Sequence, residues 1–298
     1  MSTPTSWTSQ QVMRKCPRRF EYRYIEADPT GRLKALRKLM SIRELAGHVV
    51  HMEMARVIRE IAAGERLSDQ DQAPAHALDE FDLIVAQSNR TPPGILHGDT
   101  QVSETFHGFP CLAEIGDWKD KIPVAVENGI RLAHYFGFRR NHHQYCLESE
   151  HRGSFFHRRK DHRFVIDVLL REGINTSVYD WKVHEIRDAD CRQVALYQNY
   201  IATTRQISPT RVYGFAVDLL RERVVPHHYR AIEHTFAEVP NPSPTPSAAN
   251  RLIPKSLVDD YPSRPSREAC RICPFASVCP DSAVTPSMGF TLANGLSL

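Results

Sequence analysis

No apolar run in this chain approaches the roughly 18 to 20 residues that a membrane span needs. The opening MSTPTSWTSQQ has no hydrophobic core of a secretory signal. Both absences point to the cytoplasm and to a protein with no membrane partner. Charge of neither sign dominates, since 38 Lys and Arg stand against 35 Asp and Glu for a formal net of +3, so bulk electrostatics neither demands nor excludes nucleic acid. No internal repeat is visible. The seven cysteines are unevenly spaced, and in a cytosolic chain they argue against a disulfide framework. What remains is ordinary for a globular protein: 298 residues, 41% hydrophobic and 24% charged, enough for one large domain or a domain with an appended module. Charge is clustered locally at Arg18-Arg19, Arg139-Arg140, His157 to Lys160 and Arg221-Glu222-Arg223. Such clusters suit phosphate contacts, although solvated faces look the same.

The first half reads as helical. Thr8 or Ser9 can cap a helix from Gln10 to Cys16, and Pro17 kinks or restarts it into Arg18 to Tyr24. Ser41 opens a stronger helix that ends near Gly64, with Leu45, Val49, Met52 and Ile58 on one side and His48 and His51 three apart. Further helices are predicted over Ala75 to Gln87 and about Val124 to Phe138, with polar, loop-like residues at 65 to 74. From His143 onward short strand patterns take over: Gln144 to Glu150, Phe164 to Leu170, Ser177 to Val183, Val212 to Leu220 and Val224 to Tyr229. A helix over Asp188 to Thr204, capped by Asp188 or Asp190, separates the third and fourth strands. Strand, helix and returning strand make a β-α-β unit, so the fold class is α/β with a mixed central sheet flanked by helices.

The stretch RFVIDVLLREGINTSVYDWKVHE (Arg163 to Glu185) concentrates the chemistry. Two strands meet at a Glu172-Gly173 turn; Asp167 lies inside the first, and Asp180 and Lys182 stand two apart on the second, hence on one face. Carboxylates among Val, Ile and Leu are costly unless a cation neutralises them, so two of them beside a lysine suggest a divalent-metal site. Taken alone, a surface hairpin with a salt bridge reads the same way.

Cys111, Cys146 and Cys191 are isolated and read as small core residues. Cys270, Cys273 and Cys279 follow C-x2-C-x5-C, one ligand short of four. Cys16 is the candidate fourth, because it shares the Cys-Pro dipeptide with Cys273-Pro274 and Cys279-Pro280. Four thiolates suit an iron-sulfur cluster or zinc; the flanking prolines favour iron and sulfur. Between core and cysteines, residues 239 to 266 form a Pro- and Ser-rich connector, and residues 281 to 298 read as a loose tail.

In order, these features resemble the RecB-like, iron-sulfur branch of the PD-(D/E)xK nuclease superfamily, which includes the CRISPR spacer-acquisition exonucleases and AddB-type repair nuclease domains. The opening S-x6-CPRRFEYRYI (Ser9 to Ile25) is similar to that family's first cluster cysteine and aromatic-basic helix. Gly47 to His51 is similar to its helical histidine motif, and Asp167 to its strand aspartate. Asp180-Trp181-Lys182 is similar to its D-x-K, Gln193 to Tyr197 to its Q-x3-Y helix, and the CxxC-x5-C closes the set. The chain departs from the pattern at Arg163-Phe164-Val165, where the family often has a small residue, and at Val183-His184, where it often has Thr-Gly.

The resemblance implies a restriction-endonuclease-like core with an N-terminal helical region and a [4Fe-4S] cluster, or alternatively Zn2+, stapling the two ends through Cys16, Cys270, Cys273 and Cys279. It implies a single domain over 1 to 280, with a helical insertion at 65 to 137, a nuclease core at 140 to 237 and a cysteine segment at 267 to 280. His51, Asp167, Asp180 and the Trp181 carbonyl would hold one or two Mg2+ or Mn2+ ions, Lys182 would assist at the phosphate, and Gln193 and Tyr197 would hold the nucleic-acid backbone. His48 is the rival of His51, and Glu150 is a weaker candidate for an outer ligand. The implied activity is a metal-dependent DNA exonuclease acting on single-stranded or frayed ends, in CRISPR adaptation, DNA repair, or a mobile-element or antiviral defence system. Its implied partners are DNA together with an integrase, helicase or other DNA-processing subunit. The alternative is a nucleic-acid-binding subunit of a larger DNA-processing complex with little or no catalysis of its own.

Overall fold

A computed structural model describes residues 5–25, 28, 31–64, 70–96, 100–138, 145–157, 160–228, 263–284 and 291–292. The described chain groups into two compact units. One is drawn from Met1–Ser41, Val85–Cys111 and Glu238–Leu298, the other from Ile42–Ile84 and Leu112–Ala237. The segment 65–137 therefore contributes to both, and most of the Pro-rich connector lies outside the described residues.

The first unit is built from short elements. Its opening helix, Trp7–Lys15, is capped by Ser6 rather than by Thr8 or Ser9. The Ser9 backbone N–H donates to Ser6 Oγ (3.0 Å) while Ser9 Oγ accepts from the Ser6 N–H (2.8 Å), the reciprocal arrangement that satisfies two otherwise orphaned donors. Cys16 is extended, and Pro17 restarts the chain as Pro17–Phe20 followed by a π-helical turn, Glu21–Ile25. Leu39–Met40 pairs in parallel with Gln101–Val102, and Ile95–Leu96 with Thr291–Leu292. The core gathers Tyr22, Leu33, Leu36, Leu39, Leu96, Phe106 and Phe275, with Cys273 and Cys279 packed against its edge.

The second unit carries the sheet. Its strands are β1 (Tyr145–His157), β2 (Lys160–Glu172), β3 (Asn175–Lys182), β4 (Val212–Asp218) and β5 (Arg223–His227). Pairing is antiparallel for β1 with β2, β2 with β3 and β4 with β5, and parallel for β3 with β4, so the sheet is mixed as the strand-helix-strand pattern predicts. Its helices are α1 (Ile42–Ala63), α2 (Ala73–Arg90, continuing into the first unit), α3 (Leu112–Tyr135) and α4 (Asp188–Thr204). β1 runs past Glu150 to His157, where the polar sequence hid its continuation. α3 begins twelve residues before Val124, with Pro123 inside it; the missing N–H removes one bond without ending a helix otherwise held by packing.

α4, the crossover between β3 and β4, lays Val194, Tyr197 and Ile201 on Phe164, Ile166, Leu169, Val178, Val212 and Ala216. Contact is close enough that a Cβ on Gly214 would stand 2.5 Å from Val194 Cγ1 and 2.7 Å from Gln198 Cδ. On the other face Tyr179 meets Phe136 and Phe215, with centroids 4.7 and 4.9 Å away.

The β1–β2 hairpin has one irregularity. Glu150 adopts φ +51°, a left-handed conformation that is uncommon for a residue with a side chain. The ladder pairs Ser149 with Val168 and His151 with Ile166, and skips Glu150 and Asp167 between them. Alternation changes phase there on both strands. Phe164 and Ile166 face α4, but so does Leu169; Glu148 meets Arg205 at the end of α4, Ser149 Oγ donates to the Ala55 carbonyl of α1, and His151 lies by Tyr200 of α4.

Candidate active site

Asp167 sits at that change of phase. The β2–β3 ladder ends at Val168 opposite Tyr179, and among the described residues Asp180 to Lys182 pair only with β4. The strands thus part, leaving the Trp181 N–H without a β2 carbonyl, and Asp167 Oδ2 accepts it at 2.7 Å. Its other oxygen, Oδ1, accepts from His51 Nδ1 of α1 at 3.1 Å. The histidine motif, the strand aspartate and the D-x-K strand are therefore in direct contact.

Asp180 and Lys182 do share a face, with Nζ 2.6 Å from Asp180 Oδ2. Asp180 is only 2% exposed. The Lys182 ammonium is the ion-pair partner of this buried oxygen, which has no other polar partner among the described residues. Lys182 Nζ also donates to Gln193 Oε1 at 3.1 Å, and Gln193 Nε2 donates to the Tyr197 hydroxyl at 2.5 Å. Gln193 and Tyr197 thus form a chain of contacts behind the lysine. Tyr197 is 2% exposed and Gln193 half-buried.

Electrostatics follow from burial and pairing. Burial, with Asp167 adding to it, pushes Asp180 up to about 6 against the attraction of Lys182. Asp167 also suffers burial, yet His51, Lys182 and the Trp181 N–H together hold it below the usual carboxylate value. Burial would lower His51 and Lys182, but their carboxylate neighbours outweigh it and raise both. The pair of acids is thus split, one favouring the anion and one the proton, as expected of two carboxylates crowded in one place.

Sequence reasoning missed Asp190 as a site residue. Its Oδ2 accepts the Arg187 N–H (2.8 Å), capping α4 from the third position, and its Oδ1 stands 4.0 Å from Lys182 Nζ. The available signal was an acid three residues before Gln193 on the same helix. His48, by contrast, is exposed, and Met52, expected on the apolar side of α1, is 53% exposed. Glu150 points to Arg59, with Nη1 3.4 Å from Oε2. The basic clusters are partly internal: Arg18 is buried against Glu21 (3.1 Å) and Arg221 pairs with Asp218 (2.9 Å). Arg139, Arg140, Arg158 and Arg159 lie outside the described residues.

In the first unit Cys16, Cys270, Cys273 and Cys279 line one cavity of about 120 Å³, together with Lys15, Arg18, Arg19 and Arg264. Burial pushes Cys273 up to about 11, against the pull of Arg19, and burial raises Cys279 as well. His107 holds this loop, its Nε2 3.0 Å from the Cys273 carbonyl, and burial drops its pKa to about 4 so that the ring is neutral. Of the isolated cysteines, Cys111 is buried, while Cys146 and Cys191 are half-buried rather than core.

Among the described residues no three His, Cys, Asp or Glu side chains stand ready as a metal-holding group. At the acidic site His51 meets one oxygen of Asp167 and Lys182 one oxygen of Asp180. The donor types still suit a hard divalent cation, because Asp167 and Asp180 offer carboxylate oxygens and His51, in contact with Asp167, an imidazole.

The profile of the PD-(D/E)XK nuclease superfamily matches residues 4–280. The chain belongs to that superfamily. No curated protein matches it significantly. As a PD-(D/E)XK nuclease it acts on nucleic acid, and such nucleases usually use Mg2+ or Mn2+. The mixed five-stranded sheet with flanking helices is consistent with the restriction-endonuclease-like fold. No helix among the described residues is long and apolar enough to cross a membrane.

Proposed function

We propose that this PD-(D/E)XK nuclease is a metal-dependent DNA exonuclease that cuts single-stranded or frayed ends, and that its four-cysteine cavity holds a [4Fe-4S] cluster. The observation that carries the first part is the meeting of His51, Asp167, Asp180 and Lys182 where β2 and β3 part. When bound, Mg2+ or Mn2+ supplies an acidified water and positive charge at the scissile phosphate. Asp167, Asp180, His51 and the Trp181 carbonyl are the groups that would hold it. Lys182 keeps its proton, since its carboxylate neighbours raise its pKa, and so stabilises negative charge on the phosphate instead of acting as a base. Gln193 has surface with which to meet the sugar-phosphate backbone, and Tyr197 supports it from beneath.

For the cysteine cavity, the support is the convergence of one N-terminal and three C-terminal thiols beside basic side chains. Loading must displace thiol protons, so affinity rises with pH. A cluster there would tie Cys16 to residues 263–284, consistent with a structural staple. Biological settings that use such an enzyme are CRISPR adaptation, DNA repair, and mobile-element or defence systems.

The test is cleavage of 5'- and 3'-labelled single strands with Mn2+ or Mg2+, with Asp180→Asn as control. Loss of nucleotides from one end in the wild type alone is the expected result. Wild-type protein that degrades no end with either metal refutes the catalytic reading. Iron and acid-labile sulfide in equal amounts in anaerobically prepared protein are expected; stoichiometric zinc without sulfide refutes the cluster.

A further inference from the structure

Lys182 is close to three acceptors, and only one of them is needed by a metal. Its Nζ stands 2.6 Å from Asp180 Oδ2, 3.1 Å from Gln193 Oε1 and 4.0 Å from Asp190 Oδ1. A divalent cation and the ammonium compete for Asp180, because both need the same buried carboxylate. The lysine side chain is 12% exposed, so an ammonium leaving Asp180 has little water to receive it and needs a second anion within reach. Asp167 also acts on the ammonium, but it is itself a group that would hold the metal and already accepts from His51 and the Trp181 N–H, so Asp190 is the acid left to receive it. One of its oxygens is fixed by the Arg187 N–H (2.8 Å) with His184 Nδ1 at 3.9 Å, while the other faces the ammonium. The Gln193 amide cannot turn freely, since the Tyr197 hydroxyl takes its Nε2 and leaves Oε1 toward Lys182. The first turn of α4 would otherwise repel a cation, its exposed amides carrying partial positive charge.

We propose that Asp190 is a positioning residue, the alternate counter-ion that receives Lys182 and so releases Asp180 to a divalent metal. The proposal rests on the metal site of the preceding reading. It assigns Gln193 and Tyr197 a shared part, holding the ammonium on the path between the two acids.

The test is a double-mutant cycle read as Mn2+ affinity of the full chain, by calorimetry or electron paramagnetic resonance, with Asp180→Asn marking the background. Asp190→Asn keeps an oxygen for the Arg187 N–H and removes the charge, so α4 stays capped; thermal melting checks this. Asp190→Asn is expected to weaken Mn2+ binding about tenfold, and Lys182→Ala to tighten it. In the Lys182→Ala background Asp190→Asn is expected to change affinity less than about twofold, because the residue it serves is gone. Equal weakening in both backgrounds overturns the inference, since Asp190 would then act directly on the cation or through the helix. Unchanged affinity in Asp190→Asn overturns it too. Wild-type protein that binds no Mn2+ above the Asp180→Asn background refutes the metal site itself, and the inference with it.

Discussion

Asp180→Asn should make the metal-free protein more stable while destroying its catalysis. The buried carboxyl has its pKa pushed from 3.8 to about 6, roughly two units at about 1.4 kcal/mol each. The native state therefore binds this proton more tightly than the unfolded chain. Metal-free stability falls as pH rises from 3.8 through 6 and stays at the lower level above, at a cost of about 3 kcal/mol. That net value already contains the attraction of Lys182, so neutralising Asp180 by an isosteric amide should recover most of it at pH 7.5. Urea unfolding followed by the fluorescence of Trp181, which is buried beside Asp180, measures the gain. The gain should shrink steadily as pH falls from 6 toward 4, because the wild type becomes protonated there. Saturating Mn2+ should raise the stability of the wild type and not of the variant. A variant no more stable than wild type at pH 7.5, or a gain that does not change between pH 7.5 and 4.5, would refute the reasoning.

Three further expectations follow from the packing and the thiols. Tyr197→Phe leaves Gln193 Nε2 without its acceptor and should cost about 1 kcal/mol while slowing cleavage; unaltered turnover in the presence of Mn2+ would show that the amide needs no such support. Gly214→Ala places a Cβ 2.5 Å from Val194 Cγ1 and should destabilise by about 1 to 3 kcal/mol, visible as a lower melting temperature. Cys270→Ser should remove bound metal and lower the melting temperature, whereas Cys191→Ser, at a residue that is not among those lining the cavity, should do neither; equal metal content in the two variants would separate the cavity from the metal.

Much of the site could be read from strand periodicity. Asp180 and Lys182 lie on one strand, where a spacing of two fixes a shared face, and the D-x-K needed no tertiary knowledge. The His51 contact did need it, because nothing local ties a helix at 51 to a strand at 167. The repeated Cys-Pro dipeptide groups Cys16 with the C-terminal thiols in the sequence, and the four line one cavity. Other features were illegible for identifiable reasons. A left-handed Glu150 has no compositional mark, since glycine or asparagine usually announces that conformation. The polar run EHRGS concealed the length of β1, and Pro123 disguised the first half of α3. Asp190 looked like a helix cap and is one, and that satisfied the pattern before its second oxygen could be considered.

The half-step at Glu150 and Asp167 divides the long hairpin into two sections with opposite phase. The inner section is indexed by the pairing of Val168 to Glu172 with β3, and the outer one, from His151 to Ile166, by the pairing of its two arms with each other. Lengthening or shortening the hairpin tip by matched residues would therefore leave the acids where they are. A single residue gained by one arm between the step and the tip would rotate every outer side chain to the opposite face. The chemistry thus stays registered to the centre of the sheet through the pairing of Val168 to Glu172 with β3.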